Sequence, residues 1–292
     1  MRKSEKKRTL IQILAAVVCN GYAAGFLQGK IYQGDQKFLC VPGLNCYSCP
    51  GALGACPIGA LQAVLGDRRY KFSYYIFGIL LFFSVVLGRL VCGFLCPFGL
   101  IQDLLHKIPV PKWELPQKID RPLRWLKYVI FAVMVVILPL TLTNAFGIAP
   151  PYFCEWICPV GTLEGGIPLV AQSESLRQMI GGLFYWKMCL LGLVVLGSMV
   201  IYRPFCKYLC PLGAFYGLFQ RVGFFQMEVD RAKCDGCGLC EKICPMQVDV
   251  RKNINGAECI RCGRCKDVCH TSAISSGFRF GPGQERKTEP ES

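Results

Sequence analysis

The tetrapeptide Cys-Pro-apolar-Gly occurs four times in this chain, at Cys56, Cys96, Cys158 and Cys210. Three copies carry a second cysteine four residues earlier, at Cys92, Cys154 and Cys206. In the remaining copy that place is Ala52, with Cys46 and Cys49 a little further upstream. Such a repeat implies an architecture built by internal duplication. Residues four apart share one face of a helix, so Cys92 and Cys96 can both turn inward. The proline directly after the second cysteine ends or bends the helix, and the glycine two residues on permits a tight turn. The chain can thus wrap around a bulky group held by sulfur.

Hydropathy gives four candidate membrane-spanning helices of about 20 residues, the length a bilayer core requires. They are Thr9–Gly29, Ser73–Val91, Leu123–Gly147 and Leu183–Tyr202. A hydrophobic content of 53% agrees with a membrane protein. The net charge of +14 would suit nucleic acid in a soluble protein. Here Lys and Arg flank apolar runs, so the positive-inside effect accounts for it, and lipid, not nucleic acid, is the expected partner. The first run follows Arg2, Lys3, Lys6, Lys7 and Arg8. A cleaved signal peptide competes with a retained anchor there; the long apolar stretch favours the anchor.

Lys107, Lys112, Lys118, Arg121, Arg124 and Lys127 lie between the second and third runs, against Arg177 and the marginal Lys187 between the third and fourth. This bias places both termini in the cytoplasm of a bacterial cell, in a multi-pass protein, although Lys30, Lys37, Arg68, Arg69 and Lys71 in the first outer loop pull the other way. Cys96 and Cys210 then fall on the inner face, and Cys56 and Cys158 on the outer. Two like halves bring Cys92, Cys96, Cys206 and Cys210 together as an inner set. An outer set draws on Cys49, Cys56, Cys154 and Cys158, with Cys46 as a competing ligand. Twenty cysteines in so long and apolar a chain do not read as a disulfide scaffold. Zinc or purely structural cysteines are the alternatives to an iron–sulfur cluster at each set.

The company of these motifs favours iron. Residues 234–245 read CDGCGLCEKICP and residues 259–270 read CIRCGRCKDVCH. Both fit the bacterial spacing for two [4Fe–4S] clusters, in which the fourth cysteine of each run serves the other cluster. One cluster would take Cys234, Cys237, Cys240 and Cys269; the other would take Cys259, Cys262, Cys265 and Cys244. His270 stands where that pattern usually has proline. Residues 1–8 form a basic cytoplasmic start, 9–222 the membrane domain, 223–278 the ferredoxin domain and 279–292 a polar tail expected to be disordered. The expected fold is an α-helical membrane protein with four transmembrane helices, as a duplicated two-helix unit, followed by an α+β ferredoxin domain.

Through Cys92/Cys96, Cys206/Cys210 and the paired ferredoxin runs, the chain resembles membrane-bound polyferredoxin-like proteins of the NapH and NosR type. The resemblance covers nearly everything after the first apolar run. It implies electron transfer at a bacterial membrane, between cytoplasmic donors or the quinone pool and an extracytoplasmic redox partner. An electron-transfer subunit without its own substrate turnover is the leading expectation, and an accessory or maturation factor for a partner reductase is the alternative. No flavin-attachment signature is present. With only His106 and His270 in the chain, bis-His haem ligation within the spans is unavailable, which makes a haem-based quinol oxidase a poor reading. Two [4Fe–4S] clusters are expected in the ferredoxin domain, a further cluster at the inner set, and the outer set is a candidate for another. Arg89 and Arg203, beside the inner motifs, either snorkel to the interface or offset the charge of a cluster. Cys19 and Cys189 read as packing residues, Cys40 as a stray outer thiol, and Trp125, Tyr128, Tyr185 and Trp186 as interfacial anchors.

Overall fold

The computed structural model describes residues 3–67, 73–144 and 147–279. Arg68, Arg69 and Lys71 of the first outer loop, and the tail from residue 280, lie outside the described residues.

Among the described residues two helices are long and apolar enough to cross a membrane: Gln117–Thr141 and Gly182–Val200, of 25 and 19 residues. They coincide with the third and fourth apolar runs. The first run forms a helix that starts earlier than hydropathy suggests, at Lys3, and stops at Cys19. The chain breaks at Asn20–Tyr22 and resumes as Ala23–Gln28, capped by Gly29 in the left-handed region. The second run is split. Its helix Tyr74–Val86 has 13 residues, about 20 Å of rise against about 30 Å of bilayer core. Gly88 takes a φ of +54°, and a five-residue helix, Leu90–Phe94, follows the turn. Arg89, wholly buried at that turn, is the reason for the break. Its guanidinium must reach polar partners that a continued apolar helix would not offer.

The helices turn apolar faces outward and polar groups inward. Leu10, Leu14, Val18, Phe82, Val129, Ile137, Leu193 and Leu196 are exposed, whereas Arg8, Gln12, Arg89, Asp103, Asp120, Lys127, Arg203 and Lys207 are buried. The charges of this set are matched by ions of opposite sign. Asp103 meets Arg203 and Arg8, the latter at 3.1 Å. Asp120 meets Arg124, Lys207 and the hydroxyl of Tyr208. Glu258 meets Arg89 at 2.7 Å and Lys127. Pairing of this kind is what makes ions tolerable away from water.

The duplication extends beyond the cysteines. Ser84 and Ser198 each bond the carbonyl four residues back at 2.6 Å, five residues before Arg89 and Arg203, which in turn precede Cys92 and Cys206 by three. The two halves therefore share one serine–arginine–cysteine frame. After each Cys-Pro, a new helix begins: Pro57–Gly66, Pro97–Leu105, the turn 161–172 and Pro211–Leu218.

Two antiparallel strands, β1 (Phe225–Val229) and β2 (Ile274–Phe278), close the C-terminal module, with Phe225 opposite Phe278 and Val229 opposite Ile274. Between them run three short helices, Leu239–Lys242, Val250–Asn253 and Arg264–Val268, the first and last each preceded by a positive-φ glycine, Gly238 and Gly263. A small core of Met227, Val250, Ile254, Cys265 and Ile274 fills the module.

Replacing Arg203 by alanine leaves Asp103 in the interior with Arg8, Gln12 and the Tyr202 hydroxyl near it. Breaking a buried pair from one side costs about 3–5 kcal/mol. The thermal unfolding midpoint of the detergent-solubilised protein should fall accordingly, and an unchanged midpoint would show that Arg203 holds nothing in place.

Candidate iron–sulfur sites

One backbone event recurs at three of the four motifs. The amide of the second cysteine bonds the carbonyl five residues back: Cys96 to Val91 at 3.1 Å, Cys158 to Phe153 at 2.9 Å and Cys210 to Phe205 at 2.9 Å. The next residue is proline and has no N–H. The carbonyl of the first cysteine is therefore left without a helical donor, and a buried carbonyl needs one. A cation supplies it each time. Arg203 donates to the Cys92 carbonyl at 2.6 Å, Arg89 to the Cys206 carbonyl at 3.1 Å and Lys187 to the Cys154 carbonyl at 3.1 Å. The two arginines cross between halves, each serving the cysteine of the other repeat.

The second cysteine is the N-cap of the helix that follows, with proline at its first position. In every copy the glycine amide three residues on points at that sulfur: Gly59 at Cys56, Gly99 at Cys96, Gly161 at Cys158 and Gly213 at Cys210. Backbone N–H groups at a helix start favour a thiolate over a thiol. The glycines also keep space open. A Cβ on Gly99 would meet the Cys92 carbonyl at 3.1 Å and Arg203 at 3.2 Å, and one on Gly213 would meet both Arg89 and the Cys206 carbonyl at 3.3 Å.

Cys92, Cys96, Cys206 and Cys210 are all buried within one core. Gln102 donates to the Cys206 sulfur at 3.0 Å across the repeat. Four soft sulfur donors, ringed by amide donors and two guanidinium groups, fit a thiolate-bound iron–sulfur cluster. Arg89 also reaches Glu258, next to Cys259, and the Ala257 carbonyl at 2.7 Å. Burial pushes the Glu258 carboxyl up, but Arg89 and Lys127 outweigh it and hold it down at about 2, so it stays charged opposite them.

Cys244, Cys259, Cys262 and Cys265 line one pocket with Met246, Ile260 and Gly263, a donor set that fits a cube. The Cys259–Cys262 loop lies directly on the inner motif. The Ile260 carbonyl is so near Gly93 that a Cβ there would come to 2.4 Å, and Gln220 joins the Cys259 carbonyl to the Arg89 amide. At the other centre, Cys240 and Cys269 pack on the small core, Cys234 lies within electrostatic reach of Cys240, and exposed Cys237 gathers with Asp235 and His270. His270 contacts Asp235 at 2.9 Å, tying the two runs together where the usual pattern has proline.

Of the outer thiols, Cys46, Cys56, Cys154 and Cys158 line one cavity of about 400 Å³. Cys49 is buried but does not line it; its sulfur faces Asn20 at 3.6 Å. Cys40 lies beside Cys56 on a short bridge to Ala55. Cys189 is exposed among apolar neighbours, and Cys19 is buried in the first helix. Sequence spacing gave no sign of Glu258, Gln62 or Gln102, although both glutamines stand six residues after a motif cysteine.

A family model described as a 4Fe-4S binding domain matches residues 54–75, 72–116, 128–167 and 183–228, and a second of the same description matches 226–248. The chain belongs to the 4Fe-4S binding-domain family. Each of the first four matched segments of this 4Fe-4S protein contains one Cys-Pro-apolar-Gly copy. An uncharacterized protein of Methanocaldococcus jannaschii is 32% identical over 61% of this chain and 67% of its own length. The methylamine utilization ferredoxin-type protein MauN of Paracoccus denitrificans is 31% identical over 56% of this chain and 51% of its own. The ferredoxin-type protein NapH of Haemophilus influenzae is 28% identical over 61% and 55%. The chain thus spans between about half and two thirds of these relatives. No solved structure matches it.

Gly99→Ala and Gly213→Ala crowd the inner set, whereas a Cβ on Gly78 meets nothing within 4 Å. Iron analysis should find about four irons fewer per chain in the first two variants and none lost in Gly78→Ala.

Proposed function

We propose that this chain is a multi-pass membrane protein that carries electrons between cytoplasmic redox partners and the membrane, through two ferredoxin clusters and a third cluster on the inner set. The observation that carries this reading is the seat of the Cys259–Cys262 loop on Cys92–Gly93, with Arg89 bridging Glu258 and the Cys206 carbonyl. A cluster on each thiolate set supplies one-electron chemistry. The protein's residues do the rest. Arg89 and Arg203 offset negative charge beside the inner sulfurs, Gln102 and the Leu44 and Gly99 amides donate to them, and the surrounding core excludes water.

Four spans with both ends cytoplasmic is the topology we adopt. The basic link between the second and third runs supports it: Arg124 donates to the Met246 carbonyl at 3.1 Å and Lys127 pairs with Glu258, so the positive-inside segment and the ferredoxin module share one end. The relatives called ferredoxin-type proteins support an electron-transfer role. Around half-buried Cys234 the surface carries Arg121, Arg231, Arg251 and Lys252 against Glu241 and Asp249, and this excess of positive charge favours a soluble partner with an acidic face. On the membrane side the acceptor or donor is a quinone or an extracytoplasmic redox protein.

Anaerobically purified protein tests the reading. Cys96→Ser and Cys210→Ser should each lose about four irons per chain together with one signal in low-temperature EPR of the reduced protein. Unchanged iron and spectra in both variants would leave a membrane-tethered ferredoxin with no relay behind it.

A further inference from the structure

The far cavity differs from the inner set in one respect: no charged side chain is among its lining residues. Its wall is Leu44, Ala55, Ala60, Ala63 and Val160 with a few small polar groups, and the four sulfurs of Cys46, Cys56, Cys154 and Cys158. Each sulfur is nevertheless supplied with a hydrogen-bond donor. Ser48 points its amide at Cys46, while Asn45, Ile58 and Gly59 point theirs at Cys56. Gln62 donates its side-chain amide to Cys154 at 3.4 Å, and the Gly161 amide faces Cys158. The Gly51 and Ala52 amides face Cys49 in the same way, so donors alone do not single out a ligand; at these four sulfurs they accompany one shared cavity, where metal-bound thiolates would need them. Gln62 also accepts from the Phe153 amide at 2.9 Å, which fixes its orientation. Lys187, on the Cys154 carbonyl, lies 4.0 Å from where a Gly161 Cβ would stand and provides the positive charge that the arginines provide at the inner set.

The loop that brings Cys46 is held by two residues of the second half. Glu164 accepts the Cys46 amide at 2.9 Å, and the Tyr216 hydroxyl donates to the Pro42 carbonyl at 2.7 Å. Glu164 and Tyr216 stand six residues after their motif cysteines, the place taken by Gln62 and Gln102 in the first half. The amide of Leu44 points at Cys96 and the amide of the next residue, Asn45, at Cys56. Two consecutive peptide units thus each touch a sulfur, one of each set. A Cβ on Gly43 would come within 2.9 Å of the Cys96 Cα.

We propose that Cys46, Cys56, Cys154 and Cys158, and not Cys49, bind a fourth iron–sulfur cluster, set back to back with the inner one across the two consecutive peptides of residues 43–45. Ligation exchanges the iron–ligand bonds of the carrier that delivers the cluster for four iron–sulfur bonds here, and the four thiol protons pass to the released carrier ligands or to water. The proposal rests on the inner set being a cluster site, and the two readings fail separately, because Cys96→Ser and Cys210→Ser report on that set alone.

The full chain, produced anaerobically in detergent, should hold about sixteen irons, with matching sulfide. Cys46→Ser and Cys158→Ser should each lose about a quarter of that iron, and Cys49→Ser and Cys40→Ser none. Retained EPR signals of the ferredoxin clusters identify folded variants. In the reduced wild type, the close pair should broaden each other's signals, and Cys158→Ser should sharpen the inner one. About twelve irons in the unmodified chain, a quinone extracted from the cavity in place of iron, or iron loss in Cys49→Ser but not Cys46→Ser would each overturn the assignment.

Discussion

A proline has no N–H, and in this protein that missing hydrogen organises two half-molecules. At three motifs it leaves the first cysteine's carbonyl without a helical partner, and the vacancy is met from elsewhere in the fold by Arg203, Arg89 or Lys187. Because the two arginines cross over, neither half can complete its own cysteine turn. The same prolines start new helices whose first amides face the second sulfur. One residue type therefore ends a helix, begins another, and gathers positive charge and N–H dipoles where thiolates would concentrate negative charge.

Charge burial follows from this geometry. Arginines fixed beside the inner sulfurs need counterions, and these come from three separate segments: Asp103 after the first inner motif, Glu258 in the ferredoxin module and, for Lys207, Asp120 before the long helix. Arg8 then ties the first helix to Asp103 and to the Tyr202 hydroxyl. The interior is polar where the cysteines meet and the exterior apolar where lipid would lie, the reverse of a water-soluble domain.

The iron–sulfur chemistry and the repeated halves were legible in the spacing of Cys-Pro-apolar-Gly and the two ferredoxin runs. Span lengths were less so. Hydropathy sums apolar residues and cannot see that buried Arg89, next to a positive-φ glycine, cuts the second helix short. Nothing in spacing separates Cys46 from Cys49 either; the distinction lies in a loop whose path is set by Glu164 and Tyr216, more than a hundred residues away. The offset shared by Ser84–Arg89–Cys92 and Ser198–Arg203–Cys206 was available in the letters, and it marks the arginines as part of the repeat rather than as interfacial anchors.

The ferredoxin module is fastened at many points. Arg261 grips the Leu87 and Gln220 carbonyls, Lys207 holds Gln247, Arg264 pairs with Glu5, and the Ser4 amide reaches Asp267. These bonds reach the first helix, both repeats and the strand-closing module at once. Such a module is a fixed terminal and not a swinging arm: any partner that docks on it would have to travel to it, and the rate of delivery would then be governed by collision and salt concentration rather than by any hinge within this chain.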